Sequence, residues 1–149
     1  MRVLFLDIDG VLNRRGTKER CNGYLGVDRE LSRRFLTWLR GTDVKVVLSS
    51  TWRNHPEMWG HLREAGIEWI GVTPDLVRRH VSGVYEATVR GDEIKRWLDD
   101  NQITSYAILD DCSDMLEHQK PYFVQTDENF GIEDKHIARL NQIFLIESP

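Results

Sequence analysis

The sequence predicts an α/β fold around a central parallel sheet, and three observations carry that prediction. Residues 3–6, 44–48 and 106–109 are short, nearly unbroken apolar runs, the signature of strands buried on both faces. Between them, apolar residues recur at helical spacing, as in Leu31, Phe35, Trp38 and Leu39. Strands that alternate with helices imply parallel pairing through right-handed crossovers.

The first strand ends in Asp7, Ile8, Asp9 and Gly10. Two residues apart on a strand, the carboxylates of Asp7 and Asp9 would share a face, and Gly10 marks where the chain turns off. Like charges held so close repel unless a cation or a proton lies between them. That cost argues for a site; the alternative is that Asp7 and Asp9 simply cap a turn. Residues 13–27 follow as a basic segment carrying Arg14, Arg15, Lys18 and Arg20, broken by Gly16, Gly23 and Gly26. Asp28 is placed to cap a helix that closes at Gly41. The second strand, 44–48, runs into the hydroxyls of Ser49, Ser50 and Thr51.

Met58, Leu62 and Ala65 outline a second helix closed by Gly66, and 67–72 reads as a third strand. Residues 73–89 read as a short irregular insertion with Pro74, Gly83 and a basic cluster of Arg78, Arg79 and His80. A helix over 92–99 presents Ile94, Trp97 and Leu98 on one face and begins beside Arg90 and Gly91. The strand over 106–109 then ends in Asp110, Asp111, Cys112, Ser113 and Asp114. A helical turn at 115–116, a strand over 122–124 and a turn at 130–132 lead to a terminal helix built on Ile137, Leu140, Ile143 and Phe144. Trp52, Trp59 and Trp69 read as packing residues.

With 149 residues, 40% of them hydrophobic and 30% charged, the chain has the composition of one ordinary globular domain. No apolar run approaches the roughly 20 residues that cross a bilayer, and the chain enters its first strand at residue 3 without a signal-peptide pattern. Two cysteines, Cys21 and Cys112, make no disulfide framework and fit a reducing compartment. A cytoplasmic protein without membrane contact is expected. The net charge of −4 is unevenly spread. Residues 1–80 hold 14 Lys and Arg against 10 Asp and Glu, and residues 81–149 hold 6 against 14. The amino-terminal half can therefore attract an anionic partner.

An aspartate pair, a hydroxyl, a cation and a second acidic cluster, each at the end of a strand or the start of a helix, form an ordered series. In that series the chain resembles the haloacid dehalogenase (HAD) superfamily of phosphohydrolases from end to end. LDIDGVLN, LSSTWR, RGDEI, LDDCSDM and VQTDENFGI are further similar to the HAD domains of Swiss Army Knife RNA-repair proteins. The resemblance implies a three-layer Rossmann-like fold with one HAD-like domain over 1–149, a flap at 13–27 and no large cap. It also implies that the strands ending at Asp7, Ser49 and Asp110 are central neighbours, so their polar ends meet at the topological switch point.

The same resemblance implies the chemistry. Asp7 would be the nucleophile that forms an aspartyl-phosphate, and Asp9 the general acid and then base. Mg²⁺ would be held by Asp7, the Asp9 carbonyl and Asp110, with Asp111 and Asp114 as outer or alternative ligands. Ser49 or Ser50 would hold a phosphoryl oxygen. Arg90 is the best match to a motif cation that is usually Lys, and Lys95 is the second candidate; a forked guanidinium and a point-charge ammonium are not equivalent there. Arg14, Arg15, Lys18 and Arg53 are candidate substrate contacts. The expected activity is removal of terminal phosphates from RNA or DNA ends, 3′ favoured over 5′. A small phosphoester or mononucleotide phosphatase is the alternative, and a non-catalytic phosphate-binding module explains the residues less well. A two-metal nuclease also needs clustered acids but requires neither the hydroxyl nor Arg90.

Overall fold

In a computed structural model, residues 1–76, 78–79, 85–86 and 89–147 are described. The apolar runs become β1 (Arg2–Leu6), β4 (Lys45–Leu48) and β8 (Ser105–Asp110), joined by the short β5 (Gly71–Val72) and β9 (Phe123–Gln125). They form one five-stranded sheet in the order β5-β4-β1-β8-β9, every pair parallel. The sheet, the helices on its two faces and the lack of a large inserted cap make this a Rossmann-like α/β fold, as the motif order implies.

Alternation along the strands splits the core in two. Leu4, Leu6, Val46, Leu48 and Leu109 face α1 (Arg29–Arg40), α2 (Trp59–Glu64) and α4 (Asp134–Phe144), where Phe35, Leu62, Leu140 and Phe144 meet them. Val3, Phe5, Val47 and Ile108 face the other way, onto α3 (Arg90–Asn101) through Ile94. Trp97 of α3 packs edge-on against Phe5, with ring centroids 5.5 Å apart.

Register is what positions the site. Leu6 pairs with Leu48 on one side and with Leu109 on the other. The ladder continues one rung further, the Asp7 amide donating to the Leu109 carbonyl (3.0 Å) and the Ser49 amide to the Leu6 carbonyl (2.8 Å). Asp7, Ser49 and Asp110 are therefore equivalent rungs of three adjacent strands. Each follows the parity of Phe5, Val47 and Ile108, which places all three on the α3 face.

The segment after β1 folds back as a flap. Its β2 (Arg20–Cys21) and β3 (Tyr24–Leu25) form a minimal hairpin closed by Asn22 and Gly23, both at positive φ (51° and 83°). That is the backbone a two-residue hairpin turn demands and Asn-Gly supplies. Asp28 anchors the flap to α1. One carboxylate oxygen caps the helix through the amides of Glu30 (3.0 Å) and Leu31 (3.3 Å), and the other accepts the Thr17 hydroxyl (2.8 Å).

Some boundaries differ from the sequence expectation. The third strand spans Gly71–Val72 rather than 67–72, because the Ile67 amide still closes on the Leu62 carbonyl and the chain joins β4 only from Ile70. Within 73–89, expected to be irregular, β6 (Arg78–Arg79) and β7 (Tyr85–Glu86) pair antiparallel. His80 and Gly83 lie outside the described residues. The helix expected at 92–99 starts at Arg90, since the Arg90 and Gly91 amides donate to Asp114 across the sheet end (2.9 and 3.1 Å). The turn expected at 115–116 is a 3₁₀ segment, Glu117–Tyr122, and the strand expected at 122–124 is β9, one residue later. Among the described residues no helix is long and apolar enough to cross a membrane.

Asp28→Ala is expected to cost about 2 kcal/mol, from the lost cap and the stranded Thr17 hydroxyl. Asp28→Asn keeps an oxygen for the cap and should lose less than half of that. Urea unfolding at unchanged m value measures both.

Candidate active site

At the end of β1 the Asp7 carboxyl is almost wholly buried, and Asp110 of β8 is more so, at 6% and 1% exposure. Two carboxylates in low dielectric on neighbouring strands cannot both keep their charge cheaply. Asp7 is held well above the usual carboxylate range, by burial first and by Asp110 second, with Arg90 opposing. Asp110 is pushed up to about 6 by burial, even though Arg90 and the Cys112 amide favour its charged form. The repelling pair is therefore Asp7 with Asp110 across the sheet, not Asp7 with Asp9 along the strand.

Asp9 is exposed and turned elsewhere. Its Oδ1 accepts from the Asn13 amide (2.9 Å) and from the Trp52 indole (3.2 Å). Asn13, itself buried, also takes the Gly10 amide and donates to the Gly26 carbonyl, tying the loop to the flap. Gly10 sits at φ 79° directly under the Asp111 carboxyl, which a Cβ there would overlap, and its carbonyl accepts the Thr126 hydroxyl (2.7 Å). Trp52 thus packs in the core and also orients Asp9. Sequence reading missed Asn13, Thr126 and this second role of Trp52; the run of Gly10 to Asn13 was a usable signal, because an amide three residues past a turn glycine can close on it.

Arg90 spans the pair. Its Nη1 lies 3.7 Å from Asp7 Oδ1 and 3.4 Å from Asp110 Oδ2 and donates to the Ser49 carbonyl, while its Nε lies 3.8 Å from Glu93. Burial alone would lower its pKa, but Asp7, Asp110, Glu93 and Asp114 outweigh burial and raise it. The guanidinium stays charged. Lys95 is not brought to this cluster: its ammonium pairs with Asp99, 2.6 Å away, on the exposed side of α3.

The two hydroxyl candidates separate as well. Ser50 Oγ accepts the Trp52 amide and starts the 3₁₀ segment Thr51–Asn54. Ser49 Oγ is buried without a hydrogen-bond partner among the described residues. Arg53, expected to face substrate, instead makes a buried ion pair with Glu93 (2.8 Å, each side chain 6% exposed) and donates to the Ser50 carbonyl. Glu93 also accepts the Leu76 amide. Arg14 leans on Asp28 (3.6 Å) and Arg15 on Glu128 (2.8 Å), whereas Lys18 makes no ion pair among the described residues.

The donors fit a hard divalent cation. Among the described residues Asp110 Oδ2 is buried without a hydrogen-bond partner, Asp7 beside it is destabilised as an anion, and Asp111 lies next in chain. Oxygen atoms of Asp110 and Asp111 and the Cys112 sulfur lie within 4.8 Å of one another. Burial, then the surrounding carboxylates, pushes the Cys112 thiol up to about 11, and a soft sulfur is a poor partner for a hard cation, which favours the oxygens as ligands. Asp114 spends its carboxylate on capping α3.

A parallel sheet whose central strand ends carry two acids and a hydroxyl, with an arginine at the start of the next helix, is the arrangement of a HAD phosphohydrolase-type domain. A model of the HAD domain in Swiss Army Knife RNA repair proteins matches residues 3–137, and the chain belongs to that family. No curated protein and no solved structure matches it.

The buried pair fixes a pH dependence. The folded pKa of each acid is raised, so between about pH 4 and 6 the native state holds a proton that the unfolded chain releases, and stability falls as pH rises. Without metal, unfolding free energy should drop through that window by up to about 1.4 kcal/mol per pH unit per proton held. Asp110→Asn should flatten the slope, as followed by chemical denaturation in EDTA.

Proposed function

We propose that the protein is a Mg²⁺-dependent phosphatase acting through an aspartyl-phosphate on Asp7, with terminal phosphates of nucleic acid as substrate and 3′ ends favoured. The observation that carries this reading is the convergence of Asp7, the unpartnered Ser49 hydroxyl and Arg90 at one strand-end step. Asp7 attacks phosphorus and the P–O bond to the leaving group breaks. Asp9, held by Asn13 and Trp52, gives the leaving oxygen its proton and then takes one from the water that cleaves the acyl phosphate. Ser49 and Arg90 hold the phosphoryl oxygens.

Asp7, Asp110, Asp111 and the Asp9 carbonyl would hold the cation, which when bound neutralises the acids and the incoming phosphate. The nucleic-acid assignment is supported by the family's link to RNA repair, the absence of a large cap, and the exposed Arg15 and Lys18 on the flap. Arg53 and Lys95 take no part in it.

A panel of 3′- and 5′-phosphorylated oligonucleotides, mononucleotides and sugar phosphates tests the substrate class. Terminal oligonucleotide phosphates should be released fastest; release from mononucleotides alone would make the protein a small-phosphoester phosphatase. Asp7→Asn should retain less than about a hundredth of the activity on every substrate, and EDTA should remove activity reversibly. Turnover in EDTA would exclude the metal.

Reversing Arg15 and Lys18 should weaken oligonucleotide turnover and spare a small ester. It should also reduce the salt slope by roughly 0.7 log units for each strand phosphate no longer neutralised. An equal effect on both substrates would remove the flap from substrate binding.

A further inference from the structure

Asp9 stands on the wall of a second space. A cavity of about 430 Å³ lies between the flap tip, with Asn22 and Tyr24, and the segment after β4, with Thr51, Trp52 and Glu57. Among the described residues no lysine or arginine lines it; Asp9 and Glu57 bring carboxylates to its wall, and His55, 3.1 Å from Glu57, is its one basic neighbour. A phosphate would meet the two carboxylates there and, apart from His55, no basic side chain among the described residues. Its floor is the Trp52 ring, only 3% exposed and already holding Asp9 through its N–H. Tyr24, by contrast, is 69% exposed at the mouth, where a large aromatic ring gains by being covered.

In-line displacement fixes which part of a substrate this space would see. The nucleophile and the leaving oxygen lie on opposite sides of phosphorus, and the general acid must reach the leaving oxygen. If Asp7 attacks and Asp9 protonates, the departing alcohol lies on the Asp9 side. The group behind that alcohol must be uncharged where it meets Asp9 and Glu57, and planar enough to cover Tyr24. A nucleobase meets both conditions: every base has a stacking face, and its ring N–H and exocyclic amino groups suit carboxylate, amide and hydroxyl partners.

We propose that this cavity seats the leaving nucleoside, with its base stacked on Tyr24, so that the nucleotide bearing the phosphate is itself recognised. This inference rests on the phosphatase reading and adds to it. Tyr24 becomes a specificity residue of the flap, and the flap's basic residues Arg15 and Lys18 are left to contact the rest of the strand.

The test compares oligonucleotides phosphorylated on a normal terminal nucleotide with oligonucleotides phosphorylated on a base-free one, at either end. The wild-type protein should favour the base-bearing end by roughly tenfold or more, chiefly in KM, as stacking of one base on an aromatic ring allows. Tyr24→Ala should bring the base-bearing end down to the level of the base-free end, and Tyr24→Phe should keep the preference. Binding of the same oligonucleotides to the Asp7→Asn variant, followed by fluorescence anisotropy, reads the cavity without turnover. Phosphate release with equal handling of the two ends overturns the cavity assignment and leaves the phosphatase standing. A base preference in binding that Tyr24→Ala abolishes, with no phosphate released from any substrate by the wild-type protein, upholds the cavity and overturns the phosphatase. Loss of both ends alike in Tyr24→Ala also overturns the assignment.

Discussion

The rest of the site depends on two buried carboxyls forced together by strand register. Leu6 pairs at once with Leu48 and Leu109, so the next rung must bring Asp7 beside Asp110, on the face where alternation directs both. Both side chains are buried, and both resist ionisation. A hydrophobic ladder several residues long holds a polar conflict at its end. That is how a stable sheet sustains an unstable charge arrangement.

Around this conflict the surrounding parts have distinct duties. Arg90 reaches both acids because α3 starts at that residue, and α3 starts there because Asp114 on the far loop takes its first amides. Glu93, one turn on, is matched by Arg53, whose second donor holds the Ser50 carbonyl. The helix start, the strand end and the loop beyond β8 are therefore fixed to one another by charge-assisted hydrogen bonds. On the other side Asn13 and Trp52 orient Asp9 from the flap and from the segment after β4. Four separate stretches of chain are needed to place three aspartates.

Much of this was legible in the sequence, for physical reasons that can be named. Buried parallel strands must be continuously apolar, so β1, β4 and β8 stand out, and the acids and hydroxyls at their ends stand out against them. The charge network did not show. Arg53 and Glu93 are 40 residues apart, and nothing local distinguishes a buried pair from two surface charges. The choice between Ser49 and Ser50 turns on which hydroxyl a 3₁₀ turn consumes, and that turn is set by packing around Trp52. The expected conflict between Asp7 and Asp9 assumed that a strand's alternation persists past its last paired residue, whereas Gly10 and Asn13 bend the chain there. The short β5 was overread because Ile67 and Trp69 are apolar but still belong to the end of α2 and its packing.

The two faces of the sheet are unequally covered, and that has a consequence for how the molecule fails. Among the described residues, three helices and most of the buried side chains lie on one face, while Val3, Phe5, Val47 and Ile108 are covered chiefly by Ile94, Met115 and the partly buried Trp97 and Leu98. Cooperative units with less apolar burial open at lower free energy than the whole. In this chain such a unit includes α3, and therefore Arg90 and Glu93. Amide exchange would be fastest there among the helices, and a lesion at Ile94 or Trp97 could silence the protein while leaving it folded, expressed and resistant to proteolysis over its larger half.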